Sequence, residues 1–228
     1  MGDAELLVIV PSRGRPHAIH ELWSAWQATT TGAVSLLVAV DDDDPTLDAY
    51  VEVCARFDLE LVVGPRLRLG GTLNKLATER AQRHYALGFM GDDHRPRVVG
   101  WNERFVAELR NLGTGIVYGD DLLRGEALPT AVAMTSDIVM TLGYMVPAGL
   151  EHLWCDNAWY DLGHGIDRIA YLPDVVIEHL HPAIGKGDWD DTYRECNSEA
   201  QNDADLEKYR TWAADGLATD VAKLKALL

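Results

Sequence analysis

The chain has 228 residues and a formal net charge of -16, from Lys+Arg 20 against Asp+Glu 36. That length suits one domain, 1–228, with a substantial core, and that charge excludes nucleic acid and anionic membranes as natural partners, because both need a basic footprint. Cys54, Cys155 and Cys196 are too few and too scattered for a disulfide framework or a zinc site. No run reaches the roughly 18 apolar residues of a membrane span, and the start is acidic where a secretory signal is basic, so a soluble cytoplasmic protein is expected.

In chain order, residues 6–10 form an aliphatic run stopped by Pro11-Ser12-Arg13-Gly14-Arg15-Pro16. Residues 18–28 carry Ile19, Leu22, Trp23 and Trp26 at helical spacing, and residues 34–40 form a second aliphatic run that ends in Asp41-Asp42-Asp43-Asp44. A helix is predicted over 47–57, a strand over 59–63, a helix over 72–85 and a buried strand ending at Met90. Strands alternating with helices predict an α/β fold with a mostly parallel central sheet, whose ligand crevice lies at the strands' carboxyl ends.

Those ends carry the polar clusters. Ser12-Arg13-Gly14-Arg15 follows the first strand, Asp41 to Asp44 the second, Arg66-Leu67-Arg68 the third, and Gly91-Asp92-Asp93-His94 the fourth. Adjacent carboxylates repel each other and call for a positive partner, and Mg²⁺ or Mn²⁺ carrying a phosphate ester suits hard oxygen ligands. A solvated Asp-Asp bend is the other reading of the same residues.

The second half is less regular. Helices are predicted over 98–109, 136–142 and 156–162, and strands over 115–118, 131–134 and 175–181. Polar loops follow Pro182, then helical stretches over 199–213 and 218–228 that would serve as lid, dimer surface or core.

Taken together, these landmarks resemble the GT-A fold glycosyltransferases of the family 2 type. The resemblance runs from about residue 6 to 193. It rests on the order of Val10-Pro11-Ser12-Arg13-Gly14-Arg15-Pro16, Asp41, Leu73-Asn74-Lys75-Leu76-Ala77, Phe89-Met90-Gly91-Asp92-Asp93-His94-Arg95-Pro96, Trp154-Cys155-Asp156-Asn157 and Ile177-Glu178-His179-Leu180-His181-Pro182. It implies a single GT-A-type domain with a nucleotide-sugar half over 1–96, an acceptor half over 97–182, and a flexible loop with C-terminal helices over 183–228. The implied reaction moves a sugar from a UDP- or GDP-linked donor to an acceptor hydroxyl, with inversion, using Mn²⁺ or Mg²⁺. The acceptor itself is not specified, and a homodimer is compatible with the pattern.

By the same resemblance Pro11, Ser12 and Arg13 line the nucleoside site, and Asp41 or Asp42 accepts from the base. Arg15, Arg68, Asn74, Lys75, Asp92 and Lys186 belong to the rest of the donor site. Asp93 is the central metal ligand, with Asp92, His179 and His181 beside it. His94 is expected as a turn residue, and Asp43 and Asp44 as a solvated turn. Asp156 is the expected base, with Trp154 and Asn157 on the acceptor side, although a helix-capping role explains Asp156 equally simply. The family's Asp-x-Asp metal motif has Gly91 in its first position here. Two other functions fit parts of the pattern: a sugar-nucleotide nucleotidyltransferase, and a non-catalytic nucleotide- or carbohydrate-binding module.

Overall fold

The computed structural model describes residues 4–228; the first three, part of the acidic start, lie outside it. The first half runs β1 (Leu6–Ser12), α1 (Pro16–Thr29), β2 (Val34–Asp41), α2 (Leu47–Phe57), β3 (Glu60–Gly64), α3 (Arg68–Arg80) and β4 (Ala86–Phe89). After it come β5 (His94–Pro96), α4 (Trp101–Leu112), β6 (Ile116–Asp120), β7 (Val132–Thr135), α5 (Ser136–Leu142), α6 (Cys155–Gly165) and β8 (Ile169–His179). The chain closes with α7 (Asp191–Cys196), α8 (Glu199–Thr211) and α9 (Leu217–Lys225).

One sheet of eight strands, in the order β3-β2-β1-β4-β7-β6-β8-β5, forms the centre. β1, β2, β3 and β4 are mutually parallel and β8 is parallel to β6, whereas β7 runs against both its neighbours and β5 against β8. Side chains alternate across β1: Leu7 and Ile9 enter a core with α3, α5, α6 and α9, while Leu6, Val8 and Val10 enter the opposite core with α1, α2 and α4.

Two strands differ from expectation. β5 is absent from the sequence reading because His94-Arg95-Pro96 has no apolar period, and its proline is tolerated only because the strand lies at the sheet edge. β8 begins six residues earlier than the predicted 175, and a bulge breaks its register with β6 between the Gly119 and Asp120 pairings. Gly119 permits that bulge, since a Cβ there would fall 2.1 Å from the Val175 carbonyl oxygen. No helix among the described residues is long and apolar enough to cross a membrane.

Candidate active site

A cavity of about 370 Å³ opens at the carboxyl ends of β1, β2, β3 and β4 and extends under the start of α6. Its walls include Pro11, Ser12, Arg13, Arg15, Asp41, Arg68, Asp92, Asp93, Trp154, Asp156, His179 and His181 from the expected set. Four expected strand ends and the two later motifs therefore converge in space.

The wall at the ends of β1, β2 and β3 is a lattice of charge pairs. Arg13 Nη1 lies 2.9 Å from Asp41 Oδ2 and 2.5 Å from Asp43, and Arg66 Nε lies 3.7 Å from the same Asp41 oxygen. Burial nevertheless raises the Asp41 carboxyl above its ordinary value, because the two arginines only partly compensate lost water. Ser12 Oγ, at the last position of β1, donates to Asp92 Oδ2 at 2.6 Å, and Arg15 Nη1 reaches Asp92 Oδ1 at 3.3 Å. Asp92 is 5% exposed, and burial together with the neighbouring Asp93 charge pushes its carboxyl up to about 6. Both its oxygens thus serve the β1 loop.

Asp93 behaves in the opposite way. Burial alone would raise its carboxyl, but His179 Nε2 and His94 Nδ1, each 3.3 Å from one of its oxygens, hold it well below the usual carboxylate range. The two imidazoles stack with centroids 4.3 Å apart. They reach this position because β5 pairs His94 directly with His179 of β8. His94 is therefore a buried wall of the site rather than the expected turn residue. Asp93, His94 and His179 each offer a ligand atom within 4.8 Å of the others; the ring nitrogens turned away from Asp93, His94 Nε2 and His179 Nδ1, are buried and find no hydrogen-bond partner among the described residues. One carboxylate with two imidazoles at this spacing is a donor set that fits a divalent transition ion better than the oxygen-seeking Mg²⁺. Asp92 and His181 fall outside this group; His181 lines the cavity with Nδ1 accepting from Ala183 N–H at 3.0 Å.

Gly91 accounts for the departure from Asp-x-Asp. Its N–H donates to His94 Nδ1 at 2.9 Å, and a Cβ would lie 2.5 Å from Asp93 Oδ1. A side chain at 91 would therefore push on the Asp93 carboxylate and the His94 ring where the turn folds them together.

Across the cavity, α6 begins at Cys155 after Trp154, whose backbone is left-handed with φ 67°. Asp156 is therefore in the first turn of α6, where the helix amides favour a carboxylate; its Oδ1 accepts from Asn157 N–H at 2.9 Å. Burial raises the Asp156 carboxyl, and among the described residues it forms no ion pair. Trp154 stacks one face on Tyr209 of α8 at 5.2 Å, so only its other face is open for a ligand.

Five expected donor or acceptor residues stand away from the cavity. Asn74 bonds Met145 N–H, Val146 N–H and Val146 C=O, fastening α3 to the chain beyond α5. Lys75 pairs with Glu79 one turn along its own helix, and Lys186 pairs with Glu178. Asp42 is exposed at the end of β2, and Asn157 lies one residue too far into α6. Asp43 is exposed as expected, but Asp44 is buried and accepts from Gly14 N–H at 2.8 Å and from Thr46, pinning the β1 loop to the β2 end.

The cavity also recruits Arg66, Arg124, Thr130, His152 and Tyr193. Arg66 carries the same signal as Arg68, a cation at the end of the third strand. Tyr193 has no local signal, because only the return of α7 over the sheet edge brings its hydroxyl to Asp93.

No protein-family model matches the chain, and no curated protein matches it in sequence. Solved structures do. The mannosyltransferase PcManGT from Pyrobaculum calidifontis, in complex with GDP-Man and Mn²⁺, superposes with a TM-score of 0.60 at 16% identity, covering 99% of this chain and 80% of that one. S. aureus TarS 1-349 in complex with UDP-GlcNAc gives 0.58 at 12% identity, covering 92% of this chain and 73% of that one. Against the longer TarS structure the TM-score is 0.55 at 15% identity, and the chain spans only 44% of that protein's length. Identities this low establish architecture and not chemistry. The chain shares the fold of these solved structures, the GT-A fold that its sequence landmarks resemble.

Proposed function

We propose that this chain is a metal-dependent glycosyltransferase that moves a sugar from a nucleoside diphosphate donor to an acceptor hydroxyl with inversion, Asp156 acting as base. The observation that carries this reading is one cavity holding arginines and the Asp93-His94-His179 group on one side and an unpaired carboxylate, Asp156, on the other. The solved proteins of the same fold bind GDP-Man with Mn²⁺ and UDP-GlcNAc, which supports a nucleotide-sugar donor here.

Asp93, His94 and His179 would hold the divalent ion, which supplies positive charge where the leaving diphosphate becomes more negative. Arg15, Arg66 and Arg68 would take the diphosphate oxygens, and Pro11, Ser12, Arg13 and Asp41 the nucleoside. The acceptor oxygen bonds to the anomeric carbon as that carbon's bond to the diphosphate breaks. Asp156 Oδ2 takes the hydroxyl proton; Oδ1 remains tied to the helix amide. Its raised carboxyl makes Asp156 a better base than an ordinary aspartate, and a single carboxylate facing the leaving group suits one displacement with inversion.

Thermal stability measured with UDP- and GDP-sugars tests the donor site. Stabilisation is expected with Mn²⁺ and not with a chelator; equal stabilisation in both removes the metal from the proposal. Asp93→Ala should abolish the metal-dependent part. Asp156→Asn should keep donor binding and lower transfer by about 10²–10⁴-fold, the range for a lost general base; an unchanged rate returns Asp156 to helix capping. Pyrophosphate release from a nucleoside triphosphate and a sugar phosphate would instead assign a nucleotidyltransferase, and tight donor binding without turnover a binding module.

A further inference from the structure

We propose that α7 is a self-inhibitory strap: Asp190, Tyr193 and Glu195 occupy the groups that a donor diphosphate and its metal would use, so the donor site opens only when α7 withdraws. This inference rests on the donor site proposed above.

Every diphosphate cation of that site is already taken, and each is taken from this one segment. Arg15 Nε lies 2.5 Å from Asp190 Oδ2 and Nη2 donates to Oδ1 at 2.6 Å, while Nη1 faces Asp92. Such a two-pronged carboxylate contact is the geometry in which arginine also binds phosphate. Arg66 Nη2 donates to both oxygens of Glu195 at 2.9 and 2.7 Å, and Arg68 Nη1 reaches Glu195 Oε1 at 2.5 Å. The Tyr193 ring covers the Arg15 guanidinium at 4.2 Å, and its hydroxyl donates to Asp93 Oδ2, the oxygen that also faces His179. A phosphate oxygen and an Asp190 oxygen cannot share one guanidinium edge, nor a metal and the Tyr193 hydroxyl one lone pair.

A lid that closes onto a bound diphosphate would bring cations or apolar cover. This segment brings Asp188, Asp190, Asp191 and Glu195 against a single Arg194 between residues 188 and 195, and so repels the ligand it covers.

The strap is also built to release. No residue of α7 is buried, and the side chains of Asp190 and Glu195 are 40% and 44% exposed, so water reaches both carboxylates and can take over their hydrogen bonds as the segment lifts. On one side it follows Gly185, whose φ of 72° needs glycine, and Gly187; on the other it joins α8, which Asp205 fixes to the backbone of Glu151, His152 and Leu153. The segment between these fixed points can lift without disturbing either core.

The test titrates UDP and GDP, each with Mn²⁺, into the wild type, the Asp190→Asn/Glu195→Gln double variant, Tyr193→Phe, and the charge control Asp191→Asn, whose side chain pairs with Arg194 alone among the described residues. The double variant should bind nucleotide about tenfold more tightly. Tyr193→Phe should bind Mn²⁺ alone more tightly, and Asp191→Asn should bind like wild type. Backbone hydrogen exchange across 188–196 should speed up when nucleotide and Mn²⁺ are added. Unchanged or weaker affinity in the double variant, an equal gain in Asp191→Asn, or slower exchange on nucleotide binding would overturn the strap while leaving the donor site intact. If neither nucleotide binds any form in the presence of Mn²⁺, the donor-site reading itself falls, and the strap with it.

Discussion

Gly91 shows how far a single residue can be read. Its place in the family pattern is legible as a missing aspartate, but the reason is not, because the Asp93 and His94 atoms that crowd position 91 arrive there only in the folded turn. Gly91→Ala should therefore displace Asp93 and weaken Mn²⁺ binding by about 10–100-fold, the usual cost of disturbing a ligand's support. Calorimetric titration with Mn²⁺ measures this, with circular dichroism to show that the fold persists. Gly91→Asp, which restores the familiar pattern, should do no better; wild-type or tighter Mn²⁺ binding would show that the turn tolerates a side chain. His94 and Asp44 make the same point from the other direction. Each sits in a polar run that reads as a bend, and each is buried because a partner distant in sequence, His179 for one and Gly14 for the other, completes it. Asp156 is the reverse case, since its helix start and aromatic neighbour are both visible in the sequence.

Elements were legible where they are periodic. α1, α2, α4 and the strands β1, β2 and β4 lie close to their predicted positions because their apolar residues repeat at the spacing of the face they bury. α3 begins at Arg68, before its apolar stripe, with φ 61° at that residue, so the periodicity did not mark its start. α8 is the instructive failure of amphipathic reading. Its buried residue is Asp205, 0% exposed, which accepts from the N–H groups of Glu151, His152 and Leu153. Burial alone would raise this carboxyl, but the three amides hold it below the ordinary 3.8. A depressed folded value contributes stability that is present above the unfolded value and is lost as pH falls through the folded one. Asp205→Asn should thus be about 2 kcal/mol less stable at pH 7, as expected for weakened charged hydrogen bonds. Its deficit against wild type should shrink as the pH falls below about 4. Urea melts of both proteins between pH 3 and 7 check this, and a deficit independent of pH would mean that Asp205 acts by shape alone.

At the scale of the whole molecule, the C-terminal helices are part of the core. Leu224 of α9 is 0% exposed within the cluster that holds Trp159, Leu162 and Ile166, and Tyr209 of α8 stacks on Trp154 at the cavity wall. Leu224→Ala should cost about 2–5 kcal/mol, as buried leucine truncations do. Deleting 198–228 should abolish a cooperative thermal transition, since a domain has only about 5–15 kcal/mol to lose. A truncated protein that melts cooperatively near the wild-type temperature would restore these helices to the role of detachable lid. The sequence alone determined the α/β class, the succession of parallel strands and the placing of polar clusters at their carboxyl ends, because apolar periodicity and turn residues are local properties of the chain. The tertiary structure decided which of those polar residues meet. β5 and β8 bring His94 to His179, and α7 sets Asp190, Tyr193 and Glu195 on Arg15, Asp93 and the Arg66-Arg68 pair. The members of these pairs are 85 to 175 residues apart for His94 with His179 and Arg15 with Asp190, so no local pattern encodes them; they are fixed by strand register and by the path of the chain across the sheet edge.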